Sequence, residues 1–213
     1  MNSEEILDRI FDGVLRGDTR AVIAGVQAGL AAGINPQQLL DDAMVEAMEE
    51  IGHRFENNEC FVPEMLIAAR AMKEGVGLLT PHLVAAGVKP LGKVVIGTVR
   101  GDVHDIGKNL VRIMMESSGW EVVDLGVDVS PERYVAAVQE HHPRIVGMSA
   151  LLTTTMPNMK LIVAALERAG VRDQVKVMVG GAPVTQAYAQ QIGADLYALD
   201  AAAAAEVIKV LAV

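Results

Sequence analysis

A histidine two positions after an aspartate, on a loop with glycine at either end, is the arrangement in this chain best suited to metal chemistry: Gly101-Asp102-Val103-His104-Asp105-Ile106-Gly107. Asp102 can accept from one imidazole nitrogen, which fixes the tautomer and leaves the other nitrogen to bind a metal. The flanking glycines let the backbone approach a large ligand. The same residues also suit an ordinary loop histidine beside a helix-capping aspartate, so the motif takes its meaning from what shares its edge of the fold. Further along, Ser149, Thr153, Thr154 and Thr155 offer hydroxyls where an apolar run ends, and Gly180-Gly181 closes another such run.

The elements that must position these residues fall into two kinds. From Ser3 to about Val88 the apolar period is helical. Ser3 with Glu4 and Glu5 opens a first helix that ends near Arg16-Gly17. Asp18 caps a second, which closes at Gly33. Asn35-Pro36 starts a third through Met44, Met48, Ile51 and Phe55, which share one face. Asn57-Asn58-Glu59 breaks it, and Pro63 opens a fourth helix running to about Val84. Four helices with short connections read as a bundle. Ala85 to Leu91, containing Gly87 and Pro90, reads as a linker suited to a hinge.

After the linker, β-rich runs alternate with helical ones: Val94 to Val99 then a helix from Ile106; Glu121 to Leu125 then a helix capped by Ser130-Pro131; Arg144 to Ser149 then a helix across Leu161 to Leu166; Val175 to Gly180 then Gln186 to Ile192; Leu196 to Leu199 then a helix from Ala201. This predicts an α/β fold: a four-helix bundle over residues 1–88, then over 89–213 a Rossmann-like, flavodoxin-like sheet of five parallel strands with helices on both faces. Ligands of such sheets bind at the carboxyl ends of the strands, where strand order reverses. The Asp102/His104 loop, the Ser149 to Thr155 stretch and Gly180-Gly181 all fall on that edge.

Composition narrows the class. A net charge of -9 over 213 residues, with no cluster of Lys and Arg, argues against a nucleic-acid partner. The single cysteine, Cys60, excludes an intramolecular disulfide framework, and Met1 to Arg9 do not form a signal segment, so a cytoplasmic protein is expected. Apolar runs break well before the ~20 residues of a membrane span, and no membrane partner is expected. Aromatic residues are 3% and methionines 11, so the core is aliphatic, with Met able to fill irregular gaps.

Asp102-Val103-His104-Asp105-Ile106-Gly107, then Ser149-Ala150-Leu151, then Gly180-Gly181, resemble the cobalamin-binding domain of cobalamin-dependent methionine synthase, of corrinoid-carrying methyltransferase subunits and of some mutases. The bundle, through Ile51-Gly52 to Phe55, Phe61-Val62-Pro63-Glu64 and Ala69-Arg70-Ala71-Met72-Lys73, is similar to the helical cap over the upper face of methylcobalamin in the methyl-transfer branch. The resemblance implies cobalamin as cofactor, with His104 replacing the dimethylbenzimidazole as lower ligand to cobalt and Asp102 bonding its other nitrogen as a relay. Gly101, Val103, Asp105, Ile106 and Gly107 would complete the loop beside the nucleotide tail. Ser149, Leu151 and Thr153 would line the tail's slot, Gly180 and Gly181 would give it space, and Ala201, in the turn after Asp200, would touch its far end. Thr155 stands where some relatives carry a serine that extends the relay, and it is not counted among the site residues. Phe61 and Met65, with Met44, Met48 and Met72, are candidates for the apolar cap.

The function implied is a corrinoid carrier that shuttles a methyl group between separate enzymes and is not an enzyme as an isolated chain. Its implied partners are a substrate:corrinoid methyltransferase, a methyltransferase delivering to tetrahydrofolate or a thiol, and a reductive activation protein. Two other classes are open at this point: a cobalamin-sensing regulatory module, and a metal-dependent phosphohydrolase using His104-Asp105 with His53 or His82.

Overall fold

The computed structural model describes residues 2–211. The chain divides into two compact units: residues up to Pro90 with Ser117–Gly119, and Leu91–Glu116 with the remainder from Trp120.

The first unit is helical. Helix α1 (Ser3–Leu15) is capped by Asn2 in a reciprocal box with Glu5, so the cap stands one residue earlier than Ser3. Asp18 caps α2 (Thr19–Ala31), and Asn35 with Pro36 at the first turn starts α3 (Pro36–Leu39). A π-helical turn, Leu40–Val45, joins α3 to α4 (Glu46–Glu56), so the third helix of the bundle is one run with a widened turn. Helix α5 (Val62–Ala85) buries Met65, Ala68, Met72, Gly75, Leu79 and Leu83, a stripe three or four residues apart. Small residues set the helix contacts: a Cβ on Gly25 would meet Ile10, one on Gly29 would meet Leu39, and one on Gly75 would meet Met44.

The second unit alternates as anticipated: β1 (Lys93–Thr98), α6 (Ile106–Ser117), β2 (Glu121–Asp124), α7 (Pro131–His141), β3 (Ile145–Ser149), α8 (Pro157–Arg168), a short 3-10 turn, β4 (Lys176–Gly180), α9 (Gln186–Gln191), β5 (Leu196–Ala198) and α10 (Ala201–Lys209). All pairings are parallel, in the order β2-β1-β3-β4-β5. Alternation along the strands separates two cores. Val95, Val146, Val177 and Val179 pack with Tyr134, Ile162, Leu166 and Ile192 of α7, α8 and the end of α9. Val94, Ile145 and Met178 pack with Met115, Ala204 and Ile208 of α6 and α10. Helices therefore cover both faces.

Strand order reverses between β1 and β3, so the chain leaves these neighbouring strands in opposite directions and a crevice opens at their carboxyl ends. The register places Thr98, Ser149, Gly180 and Ala198 in one row across β1, β3, β4 and β5 at that edge. Ala198 belongs to the core shared with α6 and α10, so this row of small residues looks toward those helices.

Candidate functional site

Beyond Thr98 the chain turns at Gly101, whose φ of +80° is readily tolerated only without a side chain. The turn carries the Asp102 side chain inward, where it is completely buried. Five donors converge on its two oxygens. Oδ1 accepts from the His104 backbone N–H at 3.1 Å and from His104 Nδ1 at 2.8 Å. Oδ2 accepts from the Leu151 N–H at 2.8 Å, the Leu152 N–H at 3.3 Å and the Thr155 hydroxyl at 2.7 Å. Burial by itself raises a carboxyl pKa, but the bonds from Thr155, His104 and Leu151 outweigh it and hold Asp102 well below the usual carboxylate range.

An ionised Asp102 can only accept, so Nδ1 of His104 donates to it and Nε2 of the neutral ring keeps its lone pair. The imidazole is half exposed, with 47% of its side chain open, so that lone pair is available to a ligand. Because Leu151 and Leu152 follow β3, one carboxylate ties together the loops on the two sides of the crevice. The hydroxyl of Thr98, buried on β1, donates to the His104 carbonyl at 2.9 Å and holds the loop from beneath.

Exposed apolar side chains share this edge of the sheet. Val103 and Ile106 are 70% and 74% exposed, and Val127, Leu151 and Leu152 are also exposed. Their placement after β1, β2 and β3 makes an apolar rim on the carboxyl edge, of the kind that marks a ligand or partner surface.

The other anticipated residues lie as follows. Asp105 is exposed and accepts from Asn109 Nδ2 at 3.0 Å. Gly107 is in the first turn of α6, with open space where a Cβ would stand. Ser149 ends β3, half-buried, in register with Thr98 and Gly180. Thr153 is exposed in the following turn and makes no bond to Asp102, unlike Thr155, which had been set aside. Ala201 is buried at the start of α10 behind its cap, Asp200. Gly181 calls for a correction: its open side is not free, because a Cβ there would collide with the carbonyl oxygen of Ala150, and its φ is +128°. The glycine is needed for a close backbone approach within the protein.

Phe61 and Met65 belong to the helical unit. Phe61 is exposed at the start of α5, whereas Met65, like Met44, Met48 and Met72, is buried, which does not match an exposed methionine surface. Met65 occupies an inward position of the α5 stripe, so its side chain is core; Phe61, Leu66, Ile67, Leu78 and Val84 are the large apolar residues that α5 exposes. Sequence reasoning missed Thr98, Leu152, Asp128 and Asn158. The signal was there for Asp128, since the turn Leu125-Gly126-Val127-Asp128 follows β2 and therefore shares the same edge.

Comparison with known proteins decides the family. Two models, both described as B12 binding domain, match residues 92–208 and residues 6–80. The trimethylamine corrinoid protein of Methanosarcina barkeri is 45% identical over 198 residues, covering 92% of this chain and 91% of the relative. The chain is a B12-binding corrinoid protein. The dimethylamine corrinoid protein of the same organism is 41% identical to it, over 94% of each chain. A chain of the crystal structure of the methanol:cobalamin methyltransferase complex MtaBC from Methanosarcina barkeri superposes with a TM-score of 0.86 at 33% identity, covering 98% of this corrinoid protein and 80% of that chain.

The residues present fit a corrinoid. A ring nitrogen with a free lone pair can serve as an axial donor, a buried carboxylate fixes its tautomer, an apolar rim suits a broad macrocycle, and the row Thr98, Ser149, Gly180, Ala198 carries only small groups beside the crevice. Among the described residues no helix is long and apolar enough to cross a membrane. Among the same residues no group of three or more His, Cys, Asp or Glu could hold a metal ion.

Proposed function

We propose that this corrinoid protein carries a methyl group between two partner methyltransferases, with His104 as the lower axial ligand of its cobalamin. One partner would take the methyl group from a small methylated substrate and the other would deliver it to a thiol or tetrahydrofolate, while a reductive activation protein restores the carrier after adventitious oxidation. The chain by itself completes no reaction in this reading. Resemblance to trimethylamine and dimethylamine corrinoid proteins over more than nine-tenths of the chain supports a methylated amine as donor.

The observation that carries the reading is the Asp102–His104 pair at 2.8 Å in the crevice between β1 and β3. When bound, the corrinoid supplies a metal centre that can accept and surrender a methyl group, and the protein sets its surroundings. His104 Nε2 would hold the metal. Asp102 orients the ring and strengthens that donor by accepting from Nδ1. The buried Asp102 carboxylate would balance positive charge on the ring or on a metal that the ring held. Thr155, Leu151 and Leu152 keep that carboxylate ionised and in place. Val103 and Ile106, exposed on the same loop, would offer apolar surface to a bound corrinoid. Residues 89–213 would form the cobalamin-binding domain and residues 1–88 the cap, with Phe61, exposed just before α5, a residue open to contact with a ligand.

The test is reconstitution. Purified protein is loaded with hydroxocobalamin, reduced, and offered labelled trimethylamine, dimethylamine or methanol, each with its own purified methyltransferase. Label retained by the carrier fraction with an amine system, and released on adding a thiol or tetrahydrofolate methyltransferase, is the expected result. Cobalamin binding with no label uptake from any donor would contradict the carrier role.

A further inference from the structure

The His104 loop is held from a direction that the Asp102 network does not explain. Asp128, in the turn between β2 and α7, grips it twice. Its carboxylate Oδ1 accepts from the Gly101 N–H at 2.7 Å, and its own backbone N–H donates to the Asp102 carbonyl at 3.0 Å. These contacts bracket the Gly101–Asp102 peptide, which aims the Asp102 side chain at the imidazole. Asp128 does this from the left-handed region, at φ +53°, where few residues other than glycine and Asn or Asp sit without cost. The turn is itself zipped to β1: Thr98 N–H donates to the Gly126 carbonyl at 2.9 Å and Val129 N–H to the Thr98 carbonyl at 3.0 Å.

We infer that Asp128 is a positioning residue for the axial histidine: its carboxylate and its left-handed backbone together clamp the Gly101–Asp102 peptide so that Asp102 can hold His104. The inference rests on the proposed ligation by His104, and it adds a residue 24 positions further along the chain that touches neither the imidazole nor, in this account, the cofactor. Asn158 assists from the opposite side, its Nδ2 donating to the Arg100 carbonyl at 2.8 Å. With Thr98 on the His104 carbonyl, the loop is thus held at Arg100, Gly101, Asp102 and His104 by side chains or backbone from β1, the β2–α7 turn and the start of α8.

The chemistry separates three substitutions. Asp128→Asn keeps an acceptor oxygen and the tolerance for positive φ, so it should behave as the parent. Asp128→Gly keeps the turn and the N–H bond to the Asp102 carbonyl but loses the carboxylate. Asp128→Ala loses the carboxylate and strains the turn. Two readouts are taken on the full chain. Amide hydrogen exchange of the protein without corrinoid reports the clamp directly, and the Gly101 amide should exchange about tenfold faster or more in D128G and D128A, as expected for loss of a bond to a charged acceptor, and at the parent rate in D128N. With saturating hydroxocobalamin bound to protein grown on ¹⁵N-histidine, the fraction in the histidine-ligated form is then read from the ¹⁵N doublet of the reduced cobalt(II) state. It should fall in the order parent, D128N, D128G, D128A, with D128N close to the parent.

Unchanged Gly101 exchange in D128G overturns the clamp, whatever the corrinoid spectrum shows. Faster exchange with an unaltered histidine-ligated fraction reduces Asp128 to a structural residue and overturns the assignment. A ¹⁵N doublet that survives His104→Ala, or is missing from the labelled parent, contradicts the ligation reading and removes the positioning role with it, yet the exchange arm still reports whether the clamp exists, so the two failures are told apart.

Discussion

Asp102 accepts on both oxygens and meets donors on every side, which decides what its replacement does. In Asp102→Asn one arm becomes an NH₂ group, which must face either His104 or the Leu151, Leu152 and Thr155 donors with hydrogen against hydrogen. A loss of about 10 to 100-fold in cobalamin affinity is expected by equilibrium titration, in line with the usual cost of disturbing a ligand's supporting bond. The same carboxylate makes stability pH-dependent. Its pKa is depressed in the folded state, so its contribution is present above the unfolded value of roughly 4 and is lost as pH falls through the folded value. Urea unfolding of the apo-protein between about pH 2 and pH 5 should therefore lose stability more steeply in the parent than in Asp102→Asn. Parallel slopes would show that Asp102 is not held ionised by the fold.

At this scale the sequence discloses what is local. Asp102 and His104 are two residues apart, and their pairing follows from spacing alone. Thr155 is 53 positions from Asp102 and Asn158 58 from Arg100, and those bonds exist only because β1 and β3 are neighbours at the switch point. Thr98, a side chain that acts on a backbone group, leaves no signature of type or spacing, and Asp128 could be found only from the place of its turn on the same edge.

Among elements, the β3 and β4 ends show how a glycine pair can be read for the wrong reason. Gly180-Gly181 resembles a space left for a ligand, yet the space beside Gly181 is filled by Ala150, the residue before the Leu151 N–H that binds Asp102. Gly181→Ala must move that strand end or leave its backbone well at φ +128°, and should cost more than about 1 kcal/mol. Differential scanning calorimetry should show a midpoint lowered by roughly 2–4 °C for each kcal/mol lost. Gly180→Ala meets only the Ala198 carbonyl at 3.0 Å and has no positive φ, so its effect should be the smaller. Equal midpoints for both variants would refute the close-approach account. The strand and helix positions were legible because helical periodicity gives way to short, near-continuous β-rich runs and caps such as Asp18, Asn35 and Ser130 stand in plain view. The π-helical turn at Leu40–Val45 was not, since one widened turn barely shifts the apolar spacing on either side. Nor was the fate of Met65, because a methionine stripe has the same period whether it lines a core or a binding face.

For the whole molecule, the reading divides labour between a helical unit and an α/β unit joined near residues 85–91. The last hydrogen bonds of α5 reach Val88, and the next anchor is the Leu91 carbonyl, which accepts from Arg144 Nη1 at 3.2 Å. Lys89 and Pro90 lie exposed between them. Brief digestion with a protease of broad specificity should cut there first, and residues 89–213 expressed alone should fold and bind cobalamin, since they contain the whole Asp102–His104–Thr155 cluster. A fragment that folds but retains no cobalamin would assign part of the binding energy to the helical unit.

The central claim is that His104 Nε2 reaches cobalt, and nitrogen splitting in the electron paramagnetic resonance spectrum of the reduced, cobalt(II) form tests it most directly. Protein grown with ¹⁵N-histidine and loaded with ordinary cobalamin should show the doublet splitting of ¹⁵N in place of the ¹⁴N triplet, and His104→Ala should show neither. A ¹⁴N triplet that persists in the labelled protein would mean that the cofactor's own base remains on the metal, and would contradict the account.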